Sequence, residues 1–152
     1  MILIPVLILQ LFLFPLTVGW IMNTWVDQRQ TLELQETASH LGSLIQQVYF
    51  SLNHTTIQTG TLTSTLDIPP SLEGYSYTGN ASWRFTEGSG GGSGQVLDVT
   101  LKFVSLDIST TTSVVLGQNV AWQNSTLKSS SSNSCLIAQK NPNGTIAMSF
   151  GS

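Results

Sequence analysis

Apolar residues run almost without interruption from Met1 to Met22, where only Gln10, Thr17 and Gly19 break a series of Ile, Leu, Val, Phe, Met, Pro and Trp. At 1.5 Å per residue a helix of that length reaches roughly 33 Å, enough to cross a bilayer. After Trp25 the pattern becomes amphipathic. Leu34, Ala38, Leu41, Ile45, Val48 and Leu52 recur at spacings of three and four, with Leu44 and Tyr49 widening the stripe. Gln28, Glu36, Ser39, Gln46 and Gln47 fall on the other faces. No Gly-Pro punctuation separates the two patterns, so one helix of roughly 75 Å is expected from near residue 2 to about Leu52. Pro5 lies in its first turns, where a missing N–H is tolerated. Pro15 lies deeper and removes the donor to the Leu11 carbonyl. A modest kink between Leu11 and Pro15 is expected, compensated by a neighbouring hydroxyl such as Thr17, in preference to a melted stretch.

Beyond residue 54 the period changes. Thr61 to Ile68 is Thr-rich and β-prone and is closed by Pro69-Pro70, and Tyr75 to Phe85 carries four aromatics. Gly88 to Gly94 reads GSGGGSG, a flexible link. The clearest strand follows, with Val99, Leu101 and Phe103 on one face and Asp98, Thr100 and Lys102 on the other. Thr110–Leu116 and Asn119–Gln123 are shorter candidates, and Leu127–Ser134 reads as a serine-rich loop. Cys135–Lys140 and Thr145–Phe150 flank Asn141-Pro142-Asn143-Gly144, a hairpin signal. The fold class expected is therefore α+β: a long N-terminal helix, apolar then amphipathic, packed on a C-terminal antiparallel sheet or sandwich. The organisation is a 1–54 helix (1–25 apolar, 26–54 amphipathic) and a 55–152 β-rich head.

Charge alters this picture mainly by its scarcity. Charged residues make up 9% of the chain, against about 25% in ordinary soluble domains. Ser and Thr number 38 of 152, so hydroxyls must supply much of the solvation. A net charge of −3 without a Lys/Arg cluster argues against nucleic-acid binding. The first basic residue, Arg29, is preceded by Asp27, so the positive-inside rule gives the apolar run no orientation. A signal peptide or anchor ordinarily carries a basic flank before its apolar stretch, and none stands here. Two readings follow: a single-pass anchor, or a mature chain whose basic leader has been removed.

Candidate chemistry is sparse. His40 and His54 have no carboxylate or second histidine at ligand spacing. GSGGGSG lacks the Lys-Ser/Thr of a phosphate loop. Cys135 is alone and reads as a small buried thiol. No catalytic constellation and no cofactor is expected. Asn53, Asn80, Asn124 and Asn143 each begin an Asn-X-Ser/Thr sequon in places that read as helix end, loop or turn. They mark an exported chain with candidate glycan acceptors.

An uncharged helix beginning Met1-Ile-Leu-Ile-Pro-Val-Leu-Ile-Leu-Gln-Leu-Phe-Leu-Phe-Pro-Leu16, continued by the 25–52 stripe and a β-rich head, resembles type IV pilins, the archaeal form most closely. In bacterial members Glu stands where Pro5 stands here, and a C-terminal disulfide loop is usual; both are absent. The resemblance implies a leader cut in front of the helix. It also implies polymerisation through Ile4, Leu7, Ile8, Leu11, Phe12, Phe14, Val18 and Ile21. The product would be an extracellular, adhesive helical homopolymer, built by a pilus assembly machinery from membrane-held subunits and contacting surfaces or cells. Two other readings stay open: a single-pass anchored receptor or adhesin with an extracytoplasmic β domain, and an archaellum-type motility subunit.

Overall fold

The computed structural model of the chain describes residues 3–86 and 94–151. One helix, α1, runs unbroken over Leu3–Leu52. The expected stripe is its inner face: Leu34, Ala38, Leu41 and Ile45 are fully buried, Val48, Tyr49 and Leu52 nearly so, and Leu44 partly. Gln28, Glu36, Ser39 and Gln47 are exposed and Gln46 is half-buried. The melted alternative at Pro15 is absent, since the helix passes through it. Thr17 does not serve Leu11. Its hydroxyl donates to the carbonyls of Phe14 at 2.9 Å and Leu13 at 3.2 Å, because a threonine side chain reaches back three or four residues and Leu11 lies six away.

Among the described residues eight strands follow: β1 (Gly60–Thr65), β2 (Tyr77–Thr86), β3 (Gly94–Phe103), β4 (Ser109–Leu116), β5 (Val120–Trp122), β6 (Thr126–Lys128), β7 (Cys135–Lys140) and β8 (Ile146–Gly151). They form two four-stranded sheets, ordered β1-β7-β8-β5 and β4-β3-β2-β6. The class is α+β, with a long helix against two mostly antiparallel sheets. All but Gly94 of the GSGGGSG run lies outside the described residues.

Alternation decides which side of each strand faces inward. Leu97, Val99, Leu101 and Phe103 on β3, and Ile146, Met148 and Phe150 on β8, point into one apolar cluster with the helix stripe. The helix lies along β4 closely enough that a Cβ on Gly42 would meet Val114 Cγ2 at 3.0 Å and Thr112 Cγ2 at 3.3 Å. The hairpin between β7 and β8 forms as expected. Gly144 adopts φ 83°, its N–H donates to the Asn141 carbonyl at 2.9 Å, and the Asn143 side chain accepts the Thr145 N–H at 3.0 Å.

Three expectations are corrected. Leu127–Ser134 is not all loop: Thr126–Lys128 pairs with β2, and Leu127 is 1% exposed, because one apolar residue in a polar run can still fill the end of a core. β5 pairs with β8 in parallel. The β4–β5 turn and the β7–β8 hairpin lie at the same end of the head, where Asn119 Nδ2 donates to the Gly144 carbonyl at 3.1 Å. Both strands therefore set out from that end. Cys135 is half-buried, not buried, since it stands at the end of β7 beside Gly151.

Candidate functional site

Among the described residues the first half of α1 packs on nothing. It is long and apolar enough to cross a membrane, and none of the apolar span is buried. Ile4, Leu7, Ile8, Leu11, Phe12, Phe14, Val18 and Ile21 are all exposed, from 39% at Val18 to 74% at Leu11. They occupy one half of the rod's circumference, and the exposed Val6, Leu9, Leu13, Leu16 and Trp20 occupy the other, so the helix offers apolar surface in every direction. That form suits lipid or a bundle of like helices. Its threonine hydroxyls are answered within the helix: besides Thr17, the Thr24 hydroxyl donates to the Trp20 carbonyl at 3.0 Å. Leu7, Gln10, Leu11, Phe14 and Pro15 line a shallow groove along one side, at the three- and four-residue spacing by which one helix packs against another.

Contact with the head begins abruptly. Gln30 is buried, and from Leu34 onward the stripe is covered. Arg29 marks the boundary. Although Asp27 precedes it closely in sequence, its guanidinium lies 3.0 Å from Glu73 and 3.6 Å from Glu33. Helix geometry brings positions four apart together and keeps positions two apart on different faces. The Glu73 contact ties the helix to a loop 44 positions away in sequence. That loop holds Glu73 at φ 49° and Gly74 at φ 83°, and no local pattern announces it.

At the far end, Asn119 joins helix, turn and hairpin. Tyr49 donates to its Oδ1 at 3.4 Å, and its Nδ2 donates to Asn53 Oδ1 at 3.0 Å. Lys140, although largely buried, donates to the His54 carbonyl at 3.2 Å. Inside the head the Tyr77 hydroxyl donates to the Pro69 carbonyl at 2.7 Å, and burial pushes its phenol pKa up to about 12.

The sequon asparagines are all exposed. Asn53 stands at the helix end, Asn124 in the β5–β6 loop and Asn143 in the hairpin. Asn80 departs from the loop reading: it is in mid-strand, paired with Thr100 of β3 and Thr126 of β6. Its side chain points outward because its neighbours Gly79 and Ala81 point in, and Ala81 is 1% exposed.

Little reactive chemistry is gathered. Among the described residues no three His, Cys, Asp or Glu side chains come together as a metal site. His40 is exposed at the edge of an open cleft with Glu33, Glu36, Thr37, Ile68 and Leu72. His54 Nδ1 lies 2.6 Å from the Thr56 hydroxyl. Arg84, Asp98 and Ser113 form an outer-face network, with Arg84 Nε 3.0 Å from Asp98 and the Ser113 hydroxyl 2.6 Å from it.

The chain matches no family model, no curated protein and no solved structure.

Proposed function

We propose that this chain is a structural subunit of an extracellular filament of the type IV pilus kind. In this reading it is held in the membrane by the apolar segment that ends at residue 25 and then polymerised through the same segment into a helical homopolymer, serving adhesion. The single observation that carries the reading is the division of one continuous helix. Its second half is buried against the sheets, while its first half is a bare apolar rod. Such a rod cannot remain in water, because each Å² of apolar surface removed from water is worth about 25 cal/mol. Lipid satisfies it first. Burial against copies of itself satisfies it afterwards, and a heterologous helical stack does so without closing into a ring. The heads then form the outer sheath, with hydroxyl-rich strand faces and the four sequons turned to solvent. An assembly machinery that lifts subunits from the membrane is implied as partner, together with the surface or cell that the filament contacts.

Electron microscopy of material sheared from the surface of producing cells is the test. Filaments containing this chain support the proposal. A chain that stays with the membrane fraction after shearing, with no filaments in the supernatant, overturns it in favour of a single-pass anchored ectodomain.

A further inference from the structure

The end of the head nearest the bare helix has its own character. Tyr77 pairs with Phe103, so the loop entering β2 and the loop leaving β3 lie together at that end. The Val104 N–H donates to the Ser76 carbonyl at 3.0 Å and joins them. The 3.0 Å Arg29–Glu73 ion pair fixes this end at the level of residue 29 on α1. At the rim stand exposed apolar side chains: Val104 at 65% and Tyr75 at 37%. Just below, Trp20 and Trp25 are exposed on the helix itself.

Helix rise sets these on one scale. Leu3 to Trp25 extends about 33 Å at 1.5 Å per residue, close to the roughly 30 Å hydrocarbon thickness of a bilayer. Tryptophan and tyrosine favour the membrane–water boundary, where an apolar ring and a polar edge are both accommodated. With Trp25 at that boundary, residue 29 stands about 6 Å further out, within a headgroup layer about 5–7 Å thick. Two cations of this end are paired: Arg29 with Glu33 and Glu73, and Lys102 with Asp107 at 3.1 Å. Lys128, exposed opposite Thr78 at the start of β2, has no ion-pair partner among the described residues, so this surface offers lipid apolar and aromatic groups and a single lysine, not a basic patch.

We propose that this end of the head is a membrane-docking rim. Tyr75 and Val104 settle into the headgroup layer of the bilayer that holds residues 3–25, with Trp25 at its boundary, so that the head rests on the membrane in one orientation before assembly. This rests on the membrane-held stage of the proposed function, and it needs no basic patch.

The test uses the unmodified chain in phosphatidylcholine nanodiscs carrying a headgroup spin label, with amide signals read by NMR. Amides of residues 74–76 and 104–106 should be attenuated severalfold more than those of 113–115 on β4. Equal attenuation of the two groups overturns the rim. A label placed deep in the acyl chains separates the two claims. If it attenuates amides 7–14 while the rim stays unaffected by the headgroup label, the rim alone is wrong. If amides 7–14 are also untouched, the membrane-held stage is wrong as well. Adding anionic phosphatidylglycerol should leave the rim attenuation unchanged; attenuation that appears only with that lipid overturns docking by apolar insertion.

Discussion

Placing a carboxylate at the centre of the bare rod isolates the functional claim from the fold. Leu11 lies midway between Leu3 and Trp20, is 74% exposed and is far from the first buried helix residue, Gln30. Leu11→Asp therefore removes no contact with the head. In lipid the exchange replaces a residue favoured by about 0.3–0.6 kcal/mol with one disfavoured by about 2.5–3.5 kcal/mol, a difference of about 3–4 kcal/mol. In a dry helix bundle the carboxylate meets no water and no cation, because the first basic residue is Arg29, and the penalty is again several kcal/mol. A difference of 3–4 kcal/mol corresponds to a few hundredfold in occupancy. Filaments recovered by shearing, counted by electron microscopy and quantified by immunoblot, should fall by about two orders of magnitude. Leu11→Ile, which keeps volume and polarity, should assemble normally. The denaturant midpoint of the head should be the same in all three chains. Filaments from Leu11→Asp at the level of the unmodified chain would refute the reasoning, and a shifted midpoint would refute the separation of rod from head.

Leu41 is fully buried between helix and sheets, so Leu41→Ala should lower unfolding free energy by about 3–5 kcal/mol in denaturant titrations of the full chain in detergent. The Tyr77 phenol, raised from 10.0 to about 12, keeps its proton in the folded head after the unfolded chain has lost it. Its contribution to stability is complete below pH about 10 and is lost as pH rises toward 12; phenolate absorbance should show that late step, and Tyr77→Phe should abolish it. Gly144→Ala places a side chain at φ 83° and should destabilise the head by about 1–2 kcal/mol. Intact-mass and peptide mass spectrometry of native material should find hexose-type additions on peptides containing Asn53, Asn80, Asn124 or Asn143; unmodified peptides at all four would refute the glycan reading.

Periodicity revealed what depends on neighbours along the chain. The stripe from Leu34 to Leu52 and the alternations of β3 and β8 could be read residue by residue, because burial of one face forces a period of 3.6 or 2 on the sequence. Pairings between distant residues left no such trace. Arg29 meets Glu73 through a loop with two left-handed residues, β5 joins β8 in parallel because two turns share one end of the head, and Leu127 is buried by a strand too short to show a period. Asn80 was legible as the first residue of a sequon but not as a mid-strand residue, since a sequon pattern leaves the backbone free. Of the candidate site, the apolar rod was visible at once. Its edge was not, because Tyr75 and Val104 are brought to the level of residue 29 only by the two loops that fold back to it.

The side-by-side run of α1 and β4 has a mechanical consequence. Gly42 faces Thr112 and Val114, while Tyr49 reaches Gly117, so helix and strand advance in the same direction. A tensile load that holds the rod and drags the head along the rod's axis acts in shear across the whole Leu34–Leu52 contact. The interlocked side chains must then slip together and cannot peel apart one after another. The Arg29–Glu73 ion pair and the Asn119 junction brace the two ends of that contact. A head fastened in this way should give way at high force over a short extension.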